Sequence, residues 1–113
     1  MQELLLLDDK TKSMVEEYAP SRKTLEKLSR TFALFSDVTR LRIISALCVS
    51  DMCVTDLARV LEMNQTTLSH QLKFLRDSAL VTTFRLRKIV FYRIDSEKVD
   101  KMMLSCMDLA CIS

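Results

Sequence analysis

Apolar residues recur every three or four positions along most of the chain, and the spacing changes to alternation only once. Residues 8–18 form a first short helical stretch, with Asp8 or Asp9 as its cap, and it is stopped by Pro20. Ser21 suits the cap of a second helix, in which Leu25, Leu28, Phe32 and Phe35 follow helical spacing. Asp37 suits the cap of a third, with Leu41, Ile44, Leu47 and Cys48 on one face. Two short helices follow in close succession. Thr55 is expected to cap one that runs to about Glu62 with Leu57, Ala58 and Leu61 inward, and Asn64 to cap another that runs to about Ser78. In that second helix Leu68, Leu72, Leu75 and Ala79 make an apolar stripe. At ~100° per residue, Thr66, His70 and Lys73 face the other way, with Ser69 on their flank. An apolar back and a front of hydroxyls, imidazole and ammonium suit a helix that reads base edges and phosphates.

The alternating stretch comes next. VTTFRLR and KIVFYRI are two β-rich runs on either side of Arg85-Leu86-Arg87-Lys88. A hairpin with a cationic tip, directly after a reader helix, is a wing placed for phosphate or minor-groove contact. Asp95 or Ser96 then caps a last helix whose Val99, Met102, Met103, Cys106, Met107 and Ala110 form a wide apolar face. That face exceeds what a small core needs, and a second copy of the chain is its natural cover. The expected fold is therefore mainly α with a small β-hairpin (α+β). It is a winged helix-turn-helix, homodimeric through its first and last helices. Residues 1–20 are read as an N-terminal extension and 21–113 as the DNA-binding and dimerisation domain.

Composition narrows the partners. The 113 residues are 49% hydrophobic and 28% charged, which suits one folded domain. No apolar run approaches the ~18 residues of a membrane span, so a cytoplasmic chain with no membrane partner is expected. Its four cysteines are then expected to be reduced thiols. The net charge is only +2, but residues 64–94 hold six cations (Lys73, Arg76, Arg85, Arg87, Lys88 and Arg93) against Asp77 alone. Such a local excess on a nearly neutral protein points to a polyanion, double-stranded DNA, met by one region. There is no glycine, so any left-handed turn must be made by a residue that resists it. No phosphate loop, metal-binding His pair or Cys–His pair is present, and no enzyme is expected.

FALFSDVTRLRIISAL, CVTDLARVL, NQTTLSHQLKFLRDSALV and KIVFYRI, in that order, resemble the ArsR/SmtB family of bacterial winged-helix repressors over roughly residues 27–105. The resemblance implies a homodimer that binds operator DNA and releases it when a metal or metalloid ion binds or cysteines are modified. It implies a reader helix at 65–78, with Gln65, Thr66, Thr67, Ser69, His70 and Lys73 on the DNA. The implied wing is 80–94, with Arg85, Arg87 and Lys88 at the flanks. Leu25, Leu28 and Phe32 of the early helix would join the last helix in the dimer. The chain departs from the family where glycines are frequent: Glu62-Met63 stands in the turn before the reader, and Leu86-Arg87-Lys88 at the wing tip.

The family's arsenic, cadmium and lead sensors carry C-V-C-D-L before the reader; here Cys53 takes the first cysteine's place and Thr55 the second's. Residues 1–30 hold no cysteine to complete such a site. Of the Asp and His ligands on the zinc sensors' last helix, Asp95 matches one, while Lys98 stands where a His is expected. Cys48, Cys53 and Cys106 are the candidate sensor residues, with a thiophilic metal or metalloid ion as the candidate ligand. Cysteine is equally a small buried hydrophobe. Two rivals therefore stand beside the inducible repressor: a constitutive winged-helix regulator, and a winged-helix protein-interaction module.

Overall fold

The computed structural model describes residues 6–95 and 97–111, so the alternative cap Ser96 lies outside the described residues. The chain divides into two compact units between Ala33 and Leu34. The first holds helix α1 (Asp9–Tyr18) and most of α2 (Arg22–Leu34). Asp8 caps α1, accepting from the Thr11 amide at 2.7 Å, and Ser21 accepts from the Thr24 amide at 3.2 Å at the start of α2. Neither helix buries a residue.

The second unit runs α3 (Val38–Val49), β1 (Met52–Cys53), α4 (Val54–Leu61), α5 (Gln65–Asp77), β2 (Val81–Leu86), β3 (Ile89–Ile94) and α6 (Glu97–Ala110). The expected α+β architecture is present, with the hairpin enlarged to a three-stranded antiparallel sheet of order β1-β3-β2. Asp37 caps α3 through the Thr39 and Arg40 amides at 2.7 and 3.2 Å. Ile43, Ile44 and Leu47 are its buried residues, while Leu41 and Cys48 are half-buried. The helix touches both α4 and β3, which shifts and widens its buried arc past a single stripe.

The cap expected at Thr55 is displaced. Met52 pairs with Tyr92 and Cys53 with Phe91, so the chain is extended up to Cys53 and turns helical immediately after it. Cys53 is the N-cap, without a side-chain bond, and Thr55 lies inside the first turn. The sheet partner, not a capping side chain, sets this boundary.

Both later helices end in Schellman motifs. At the end of α4 the Met63 amide donates to the Ala58 carbonyl at 2.9 Å and the Glu62 amide to that of Arg59 at 3.3 Å. At the end of α5 Leu80 donates to Leu75 and Ala79 to Arg76, each at 3.0 Å. The left-handed position falls to Glu62 (φ 54°) in one and Ala79 (φ 62°) in the other. Ala79 is thus an exposed turn residue, not the end of the α5 stripe, and Leu80 folds back as the buried one. The core joins Ile43, Ile44 and Leu47 to Leu57 and Leu61 of α4, Leu68, Leu72 and Leu75 of α5, and Val81 and Ile94 of the sheet. No helix among the described residues is long and apolar enough to cross a membrane.

Candidate nucleic-acid interface

Helix α5 is fixed from behind and left open in front. Asn64 accepts from the Thr66 and Thr67 amides at 2.8 and 3.2 Å, which starts the helix. Leu68, Leu72 and Leu75 are fully buried and set its rotation. That rotation leaves Gln65, Thr66, Thr67, Ser69, His70 and Lys73 exposed. Among the described residues none of these six side chains has a hydrogen bond or ion pair. Their polar groups are therefore ready for an outside partner at no cost in internal bonds.

Arginines of α3 brace the same unit. Arg40 lies over the Phe74 ring of α5, 4.6 Å from its centre, and donates to the Leu34 carbonyl at 3.5 Å. Arg42 donates to the Leu61 carbonyl at 2.6 Å. Neither contact was visible in the spacing of apolar residues. The only signal was two arginines, at positions 40 and 42, flanking the stripe of α3.

The wing register runs from Val81 opposite Ile94 to Leu86 opposite Ile89, which leaves Arg87 and Lys88 as a two-residue loop. Arg87 has φ 60°, and Lys88 has no positive φ. That is the sign pattern of a type II′ turn, which matches the twist of a tight hairpin. Arg85, Arg87 and Lys88 are exposed and, among the described residues, carry no ion pair. Arg93, counted above with the cationic segment, is spent elsewhere. Its Nε and Nη2 donate to one Asp51 oxygen at 3.0 and 2.8 Å, which raises its pKa, and it stacks on Phe84 at 4.4 Å. Phe84 stacks in turn on Phe91, with ring centres 5.3 Å apart. Arg93 stiffens the base of the wing and joins it to the segment before β1.

All four cysteines are free, and among the described residues no three His, Cys, Asp or Glu side chains group as metal ligands. Cys48 lines a polar hollow of about 420 Å³ with Asp51, Arg93 and Asp100, and an apolar one of about 320 Å³ with Met103, Leu104 and Met107; neither includes Cys53. Burial pushes the Cys48 thiol up from 9.0 to about 12, helped by its hydrogen bond to Asp100 and by that carboxylate's charge. Asp100 Oδ1 is buried without a partner among the described residues. Cys53 is half-buried at the head of α4, and Cys106 and Cys111 are exposed on and after α6. With no such ligand group among the described residues, one chain alone does not assemble a thiolate clamp.

Part of the expected dimer face is already covered by the chain's own residues. Val99 and Met103 are only 9% and 8% exposed and belong to the chain's own core. Met102 is half-buried, while Cys106, Met107 and Ala110 are exposed. Leu104 and Leu109, absent from the expected face, are 64% and 73% exposed. One side of α6 closes the core, so the apolar surface left open is rotated from the stripe read in the sequence. On α2, Leu25, Leu28 and Phe32 are exposed, as are Met14, Val15 and Tyr18 on α1.

Residues 37–83, from the start of α3 into β2, match the family described as bacterial regulatory protein, arsR family. The chain is 34% identical over 74 residues to a transcriptional repressor SmtB homolog of Synechocystis sp., covering 66% of this chain but only 56% of that relative. It is 35% identical over 75 residues to the arsenical resistance operon repressor of Staphylococcus xylosus, covering 66% of this chain and 72% of the relative. Among solved structures, HlyU from Vibrio cholerae superposes with a TM-score of 0.72 at 30% identity, over 80% of this chain and 99% of that one. The homodimeric winged helix-turn-helix DNA-binding domain of a Mycobacterium bovis protein superposes with a TM-score of 0.71 at 26% identity, over 82% and 89% of the two chains. With the reader helix, the wing and these likenesses in place, the chain belongs to the arsR family of bacterial regulatory proteins.

Proposed function

We propose that the chain is a transcriptional repressor that binds operator DNA as a homodimer, placing α5 in the major groove and the β2–β3 loop on the flanking backbone. The observation that carries this is the row Gln65, Thr66, Thr67, Ser69, His70 and Lys73. It is exposed and free of internal bonds on a helix whose other face is locked in the core. Thr66, Ser69 and His70 supply short donors and acceptors for base edges, and Lys73 supplies charge for a phosphate. Arg85, Arg87 and Lys88 add sequence-independent attraction beside them. Two readers about one duplex turn apart, ~34 Å, would meet consecutive half-sites. The exposed apolar residues of α1, α2 and α6 support the homodimer, and the Mycobacterium bovis domain offers a homodimeric relative.

The arsenical resistance operon repressor among the relatives supports an inducer of metalloid class. The described thiols of one chain do not form its site, so release is not routed here through a bound ion. An inducer would act by favouring a dimer whose readers no longer fit both half-sites.

Gel shifts of the purified protein on the promoter of its own gene, at low and high salt, test the proposal. Binding that weakens steeply with salt is the expected result. No shift at low salt would give the protein-interaction module its place. Serine replacements at Cys48, Cys53 and Cys106, assayed for release by arsenite, cadmium and persulfide, separate the sensor from the constitutive regulator. A protein that no such compound releases is the constitutive one.

A further inference from the structure

We propose that Arg42 is a positioning residue for the reader helix: it holds the end of α4 and so sets the aim of α5. This rests on the DNA-reading function above. The Schellman closure uses the carbonyls of Ala58 and Arg59, while that of Leu61, the last residue of α4, has no partner within its helix. Arg42 reaches it from α3 at 2.6 Å. A guanidinium on a C-terminal carbonyl is a charge-assisted bond, made where the helix dipole is negative. Only Glu62, Met63 and Asn64 separate that carbonyl from Gln65, the first residue of α5.

The first of those three is under strain. Glu62 sits at φ 54° and ψ 47°, a conformation that suits glycine. A turn with a strained pivot and no tether could open and let α5 tilt on its leucine face. The bond from Arg42 ties the pivot to α3 three positions before Gln65, the first residue of the proposed reading row. Arg42 itself lies outside both the reader and the wing, so a change there leaves every proposed base contact in place.

Arg42 is also exposed, and its rival role is a plain phosphate contact. The two roles differ in what they change. A phosphate contact weakens binding to all sequences alike and lowers the salt slope by about one. A positioning residue spoils the match to bases and leaves phosphate-driven binding alone.

The test uses the full chain, a duplex enriched from a random pool by the wild type, and a scrambled duplex of the same composition. Arg42→Met is expected to lower the enriched-to-scrambled affinity ratio by about tenfold or more, with the scrambled affinity and its salt slope unchanged. Arg42→Lys, which keeps a cationic donor, recovers part of the ratio. Amide exchange at Met63 rises in Arg42→Met, while that of the β2–β3 ladder does not. An unchanged ratio, or a uniform loss with a shallower salt slope, overturns the proposal. If Arg42→Met does not fold, Arg42→Gln carries the same measurements. A wild type that binds neither duplex at low salt overturns the DNA reading itself, and the aiming role with it, before any substitution is made.

Discussion

Glu62, Ala79 and Arg87 all hold positive φ in a chain without a single glycine. Each costs on the order of 1 kcal/mol relative to glycine in the same place. Ala79→Gly is the cleanest case, since only a methyl group is lost, and it is expected to stabilise the fold by ~0.5–1 kcal/mol in urea unfolding. A lower midpoint would show that the unfolded chain's extra freedom outweighs the relieved strain. Cys48 gives a second test. A thiol held near 12 instead of 9.0 carries about a thousandth of the thiolate at neutral pH. Iodoacetamide at pH 8 should therefore modify Cys106 and Cys111 well before Cys48, as peptide mapping can follow. The linkage has a definite sign. The folded chain keeps a proton that the unfolded chain loses from about pH 9, so stability present below 9.0 is lost as pH rises through about 12. Cys48→Ser should flatten that alkaline loss.

Among the elements, the proposed function divides the work between α5 as reader and the β2–β3 hairpin as wing. Ser69→Ala and His70→Ala remove base-edge groups and should lower the preference for one sequence, by ~1 kcal/mol for each lost hydrogen bond. Arg87→Ala with Lys88→Ala should weaken binding to every sequence and reduce the salt slope by nearly two per protomer. Equal loss of preference in both pairs, read by gel shift across a salt series, would remove the division. The reader was legible because its signal is strong and local: a cap at Asn64 and leucines at 68, 72 and 75 fix both start and rotation. The wing was legible because its alternation flanks one short polar turn. Strand β1 was not. Two residues carry no periodicity, and Met52 and Cys53 become a strand only because β3 offers them a ladder. The same non-local pairing moved the expected cap from Thr55 to Cys53.

At the scale of the whole molecule, α1, α2 and α6 each leave large apolar residues exposed to water, and the proposed homodimer would cover some of them. Phe32→Asp or Met107→Asp should shift sedimentation from dimer toward monomer and cut operator affinity sharply, because a monomer meets only one half-site. A variant that stays dimeric would place the interface elsewhere. The sequence pattern gave the existence of this apolar surface but not its direction around α6. Whether Val99 or Leu109 faces the core depends on which side of the helix meets the sheet, and no periodicity in one chain encodes that. The three-stranded sheet has one further consequence. Strand β3 of the wing is paired on one edge with β2 and on the other with the two residues that lead into α4, while Arg93 and Asp51 bridge the same join. The wing is therefore coupled to the helix-turn-helix as one stiff body with little room to swing. When such a body sits on a duplex, the bending falls to the DNA. Operators should then favour easily deformed pyrimidine–purine steps between reader and wing, at positions no side chain touches, and a selection from random duplexes would show it.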